Sequence, residues 1–281
     1  MVHGIELNRT YHYISSLIQP LEIQEYFPMR IEIDSAICDY MQNAYRPKMI
    51  VSNPNSSHFD VDYFVDLLQK DFAKKQKSIE QELDLREISR RHALGFYLSC
   101  AIHVSKHYTP KNVSEDVVLE NLTDYFCNLQ YAHCSQKAHA LDMLLERFGI
   151  KSHRIGYSDI LQWTHAFCEV LVDDKWQILD PTFNMYFNIN VQDIIQNPFC
   201  IRKVLSFYSN EFYADNGREH LEFIQTQLDN QNHSTFKYNR EWFMFMGFHT
   251  YKPAVLWFHQ TENGQTTELY DIRKDSRYRF F

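Results

Sequence analysis

Between Ala138 and Leu179 the spacing of apolar residues changes from helical to alternating, and a single glycine marks the change. Ala138, Leu141, Leu145 and Phe148 recur at helical intervals, and Gly149 stands where a helix C-terminus favours a residue tolerant of positive φ. Beyond it Arg154–Tyr157 reads as a short strand. Ala166–Val172 and Trp176–Leu179 read as two strands joined by the turn Asp173-Asp174-Lys175. A helix that exits into an antiparallel hairpin must bury its apolar stripe against the sheet, so the expected fold class is α+β.

Three groups capable of acyl chemistry sit at the edges of these elements. Cys134 lies at or near the helix N-terminus, His165 opens the first hairpin strand, and Asp180 closes the second just before Pro181. A helix N-terminus places unpaired N–H groups and positive dipole beside a sulfur, which favours the thiolate. A histidine nearby holds the proton and later gives it to a leaving group, while a carboxylate on the far ring nitrogen fixes tautomer and orientation. His165 and Asp180 are fifteen positions apart on strands expected to be neighbours, so the hairpin brings them together. An oxyanion hole needs the Cys134 N–H and a second donor, for which Gln130 and Tyr131 are the nearest candidates.

The combination of Cys134 at a helix start, the Gly149-Ile150 helix exit, His165 followed by Glu169-Val170, and Trp176 four residues before Asp180-Pro181-Thr182 resembles the transglutaminase-like superfamily. The resemblance covers roughly residues 120–187. It implies a papain-like core in which Cys134 is the nucleophile, His165 the general acid/base and Asp180 the orienting group. The implied reaction is acyl transfer from an amide or thioester to an amine, or to water in members that are proteases or deamidases. Its partners are then a small-molecule, carrier-bound or peptide acyl donor and an amine acceptor. The chain departs from the family pattern at Ala132-His133, where Gly often lies two residues before the cysteine, and at Ser135, where an aromatic is common. These positions shape the floor of the site, so no substrate is carried over. Neither metal activation nor a cofactor is implied.

Elsewhere the pattern is helical from Val61, where Val61, Phe64, Val65, Leu68 and Phe72 share one face, and a charged stretch follows from Lys74. A long helix is expected from about Leu83 to Tyr108, stopping before Pro110, and another from Ser114 through Val118, Leu122, Tyr125, Phe126 and Leu129. After Asn188 the spacing suggests helices over 191–196, 201–213 and 218–228. Strands are expected over 254–259 and 266–270, around the turn signal Asn263-Gly264. The expected organisation is a mainly helical region over 1–115, the transglutaminase-like core over 116–187, and an extension over 188–281 packed on it.

Composition narrows the function classes. A net charge of −8 argues against a nucleic-acid binder, and the 7 Gly and 8 Pro argue against long flexible linkers. The 21 Phe and 18 Tyr suggest a core, or a groove, built from rings. No apolar run approaches membrane-spanning length and no secretory signal is read, so the expectation is a cytoplasmic protein with its six cysteines (38, 100, 127, 134, 168, 200) as free thiols. His133 and His139 flank the nucleophile, and Cys100, His103 and His107 have ligand-like spacing, but a polar helix face is the simpler reading. Glu169 and Trp176 are expected to pair across the hairpin and pack behind it. A chain with the same fold could also serve as a catalytically silent binding module, although such a role makes no demand on Cys134, His165 and Asp180 together.

Overall fold

The computed structural model describes residues 25–45, 59–108, 118–159, 164–196, 203–208, 254–260 and 266–271. In chain order these form β1 (Glu25–Arg30), α1 (Ser35–Asn43), α2 (Val61–Asp84), a 3-10 turn (Arg90–His92), α3 (Ala93–Ser105), β2 (His107–Tyr108), α4 (Leu122–Asn128) and β3 (Tyr131–Ala132). Then come α5 (Cys134–Arg147), β4 (Ser152–Asp159), β5 (Thr164–Val172), β6 (Lys175–Asp180), β7 (Met185–Phe187), α6 (Val191–Gln196), β8 (Lys203–Tyr208), β9 (Ala254–Gln260) and β10 (Thr266–Asp271). Helix and sheet are mixed, as the α+β expectation requires.

Eight strands make one sheet in the order β1-β8-β7-β6-β5-β4-β9-β10. The β5–β6 hairpin turns through Asp173 and Asp174, both at positive φ (52° and 61°), the conformation that matches the twist of two adjacent strands. Ala166, Cys168 and Val170 of β5, with Leu179 and Tyr186, join the apolar cluster formed by the helices. The alternate positions Phe167 and Glu169 are also buried, so the strand is covered on both faces. Rings make up much of the helical core: Phe59 stacks on Phe126 at 4.3 Å, and Phe64 meets Phe126 edge-on at 4.9 Å.

Several elements differ from the sequence expectations. The helix expected over Leu83–Tyr108 is two helices. Leu83 completes the buried stripe of α2 with Ile79, and Glu87 then adopts a positive φ of 56° that ends the turn. Ser89 restarts the chain by accepting from Arg91 N, and both residues bond to Asp173 on the hairpin turn, Ser89 Oγ at 2.8 Å and Arg91 Nη1 at 2.7 Å. Helix α3 stops at Ser105 because Lys106 is extended and His107-Tyr108 pair with Tyr131-Ala132. The helix expected from Ser114 begins at Leu122, where Asn121 and Asp124 form a reciprocal cap, and Val118 lies exposed before it. Within the stretch expected to be helical over 201–213, Lys203–Tyr208 is strand β8, paired in parallel with β1 and antiparallel with β7. Its apolar spacing suits either state, and the open edges of β1 and β7 decide it. Strands β9 and β10 form as expected, with β9 beside β4. The expected helix over 218–228 and the turn at Asn263-Gly264 lie outside the described residues.

Candidate active site

Helix α5 begins at Cys134. The preceding His133 is extended (φ −88°, ψ 173°) and its backbone N–H donates to Gln136 Oε1 at 3.1 Å, so the helix start is held by its own third residue. At the other end Gly149 (φ 68°) donates to Glu146 O and Ile150 N donates to Leu145 O, the paired bonds of a Schellman stop. The helix is latched to the sheet at three points. Cys168 Sγ donates to Ala138 O at 3.1 Å, Ser152 Oγ to Asp142 Oδ1 at 2.6 Å, and Arg154 lies 3.5 Å from Asp142. The first turn of α5 therefore has a fixed position over β5.

His165 and Asp180 arrive from the hairpin. The β5–β6 register pairs Cys168 with Leu179, which sets Asp180 opposite Phe167 and two residues from His165 on the same face. His165 Nε2 lies 2.6 Å from Asp180 Oδ2, and both residues are 2% exposed. Asp180 is itself held, its Oδ1 accepting from Thr182 N at 2.8 Å and Phe183 N at 3.3 Å. The Phe183 ring stands 5.1 Å from the His165 ring and limits its rotation. Cys134 and His165 act on each other electrostatically, each shifting the other's titration, so the sulfur, the imidazole and the Asp180 carboxylate belong to one site.

The electrostatics follow from that contact. Burial pushes the Cys134 thiol up, but hydrogen bonds from His133 and His165, and their charges, bring it down to about 6. Burial alone would lower His165; the Asp180 carboxylate and the Cys134 sulfur more than reverse this and raise it. A thiolate–imidazolium pair is the resting state these shifts describe. Cys134 is half-buried, whereas Cys38, Cys100 and Cys168 are buried, and burial holds the Cys100 and Cys168 thiols protonated.

Two residues near the sulfur carry weight that the sequence reading did not give them. The sequence offers His133 only as a metal ligand; in the structure its Nδ1 lies 3.1 Å from Ser135 Oγ and its ring lowers the Cys134 thiol. Lys137, one turn along α5, is 1% exposed, donates from Nζ to His103 O at 2.8 Å, and is pushed down to about 7 by burial against a smaller opposing pull from Asp180. Adjacency to Cys134, and a lysine on the apolar stripe of its helix, were the available signals.

Other candidates have different roles. His107 lies beyond the end of α3, so the helical ligand spacing of Cys100, His103 and His107 does not form. Instead Cys100 Sγ donates to Asn184 Oδ1 at 3.4 Å, and His103 Nδ1 lies 3.1 Å from Pro181 O, fixing the turn that follows Asp180. Among the described residues no group of three or more His, Cys, Asp or Glu is arranged to hold a metal ion. His139 is driven down to about 4 by burial and Arg154. Glu169 sits opposite Ile178 rather than Trp176; it accepts from His153 at 2.7 Å on β4 and from Val191 N at 2.6 Å on α6, while Trp176 packs on the His153 ring at 4.1 Å. The side chains of Gln130 and Tyr131 bond to each other at 3.4 Å. A cavity of about 300 Å³ lined by His92, Phe96, Gly149 and Leu171 lies at the far end of α5 from Cys134. No helix among the described residues is long and apolar enough to cross a membrane.

Comparison with known proteins adds little to this geometry. No family model matches the chain, and no curated protein matches it. One solved structure, described as "Crystal structure of a TGase", is similar over 53% of this chain and 37% of that one, with 17% identity and a TM-score of 0.28. The chain thus spans well under half the length of that neighbour, and so low a score carries no argument about chemistry.

Proposed function

We propose that the protein is a cysteine-dependent acyltransferase with a papain-like core of the transglutaminase-like kind over 116–187, flanked by 1–115 and 188–281. The observation that carries this reading is the convergence of Cys134, His165 and Asp180, with imidazole and carboxylate 2.6 Å apart and the imidazole lowering the Cys134 thiol. The Cys134 thiolate attacks the carbonyl of an amide or thioester, and the tetrahedral oxyanion lies against the Cys134 backbone N–H at the start of α5. His165 passes its proton to the departing amine or thiol, leaving an acyl-thioester. An amine of a small molecule, carrier or peptide then takes the acyl group, and the thiolate leaves.

Incubating the protein with p-nitrophenyl acetate tests the reading. The expected result is one acetyl mass on the Cys134 peptide and none in Cys134→Ala. Acetylation elsewhere with Cys134 unmodified overturns it.

A further inference from the structure

Resting on that acyl-transfer reading, we infer that His133 is a second catalytic imidazole, serving the acceptor half of the reaction as base for a cationic amine. Two histidines from different elements act on the sulfur. His165 comes from the sheet and is anchored to Asp180; His133 precedes the nucleophile on its own helix and faces no carboxylate in the bonds that hold it. His133 is 7% exposed, its backbone fixed by Gln136 and its ring by Ser135 Oγ, so its position is set rather than sampled. Ser135 fills the position where an aromatic is common in the resembled family, and its hydroxyl is the group that holds the His133 ring.

Proton accounting gives that ring a task. After acylation the leaving group has carried off the His165 proton, and that imidazole is neutral. A primary alkylamine near neutral pH arrives as an ammonium and must lose two protons to become an amide. The first passes from the ammonium nitrogen to His133, freeing the lone pair that forms the C–N bond. The second passes from that nitrogen to His165 as the C–S bond breaks and its electron pair returns to sulfur. The products are the amide, the thiolate and two imidazolium ions, which together keep the single positive charge of the incoming ammonium. His165 stays protonated in the resting pair, and His133 gives its proton to solvent. His165 alone would have to shed the first proton to solvent before it could take the second.

The test separates the two half-reactions. Wild type and His133→Gln are acetylated with p-nitrophenyl acetate, and loss of the acetyl group is followed with methylamine, a cation near neutral pH, and with hydroxylamine, which is neutral there. The expected outcome is acetylation of both proteins, a loss of about 10- to 100-fold in methylamine-dependent deacetylation of the variant, and hydroxylamine-dependent rates within a few-fold of wild type. Equal slowing with both acceptors, or no slowing with either, overturns the role of His133. Wild-type Cys134 that takes no acetyl group sinks the acyl-transfer reading and this inference with it. Should His133→Gln fail to fold, Ser135→Ala keeps the ring but removes its anchor. A methylamine-selective loss there supports the inference and unchanged rates overturn it.

Discussion

Cys134 differs from the other described cysteines in what touches it more than in how deeply it lies. Two imidazoles lower its thiol to about 6, whereas burial raises Cys100 and Cys168. Alkylation by iodoacetamide should therefore label Cys134 first, with a rate that levels off above about pH 6 and falls below it as the sulfur takes up its proton. Equal labelling of several thiols across that range would contradict the paired state. Asp180→Asn should fold normally, because an amide oxygen can still accept from Thr182 and Phe183. Its NH2 cannot accept from His165, so turnover should drop about 10²- to 10⁴-fold with little change in Tm. These three residues were legible in the sequence because each sits at the end of a strongly patterned element. His133 and Lys137 were not, since neither the bond of the His133 ring to Ser135 nor the reach of Lys137 to the His103 carbonyl on α3 is written in local spacing.

At the scale of elements, the helix–hairpin unit was readable and its surroundings were less so. Helix α5 and the turn at Asp173-Asp174 follow from local spacing and turn chemistry. The division between α2 and α3 depends on Ser89 and Arg91 reaching Asp173 from more than eighty residues away in sequence, which no local pattern reports. Gly149 gives a direct test of the helix exit. A Cβ built there meets nothing within 4 Å, so Gly149→Ala adds only backbone strain at φ 68°. The expected cost is about 1–2 kcal/mol, read from urea denaturation, with alkylation of Cys134 preserved because the strain sits at the opposite end of α5.

The sheet is assembled from strands more than two hundred residues apart, and strand order of that kind is absent from any local pattern. Two buried lysines on the helical side, Lys137 and Lys106, tie stability to pH. Burial lowers Lys137 to about 7 and Lys106 to about 8, from 10.5 in an open chain. Between those limits the unfolded chain holds protons the native one has lost, so stability rises with pH. The reactive pair largely cancels: the lowered Cys134 contributes a rise over its window, and the raised His165 a fall as pH climbs above 6.5. Unfolding free energy should accordingly grow from neutral pH to about pH 9, above which the buried Cys100 and Cys168 thiols, protonated only in the native state, oppose the rise, and Lys137→Met should flatten the slope without removing the part due to Lys106. Cys168 suggests a different kind of control. Its sulfur, an inert spacer touching Ala138 O, sets the clearance between the helix that bears the nucleophile and the strand that bears its base. Wedging a Leu into that seam should pry the two apart and leave a well-folded protein whose chemistry has gone quiet.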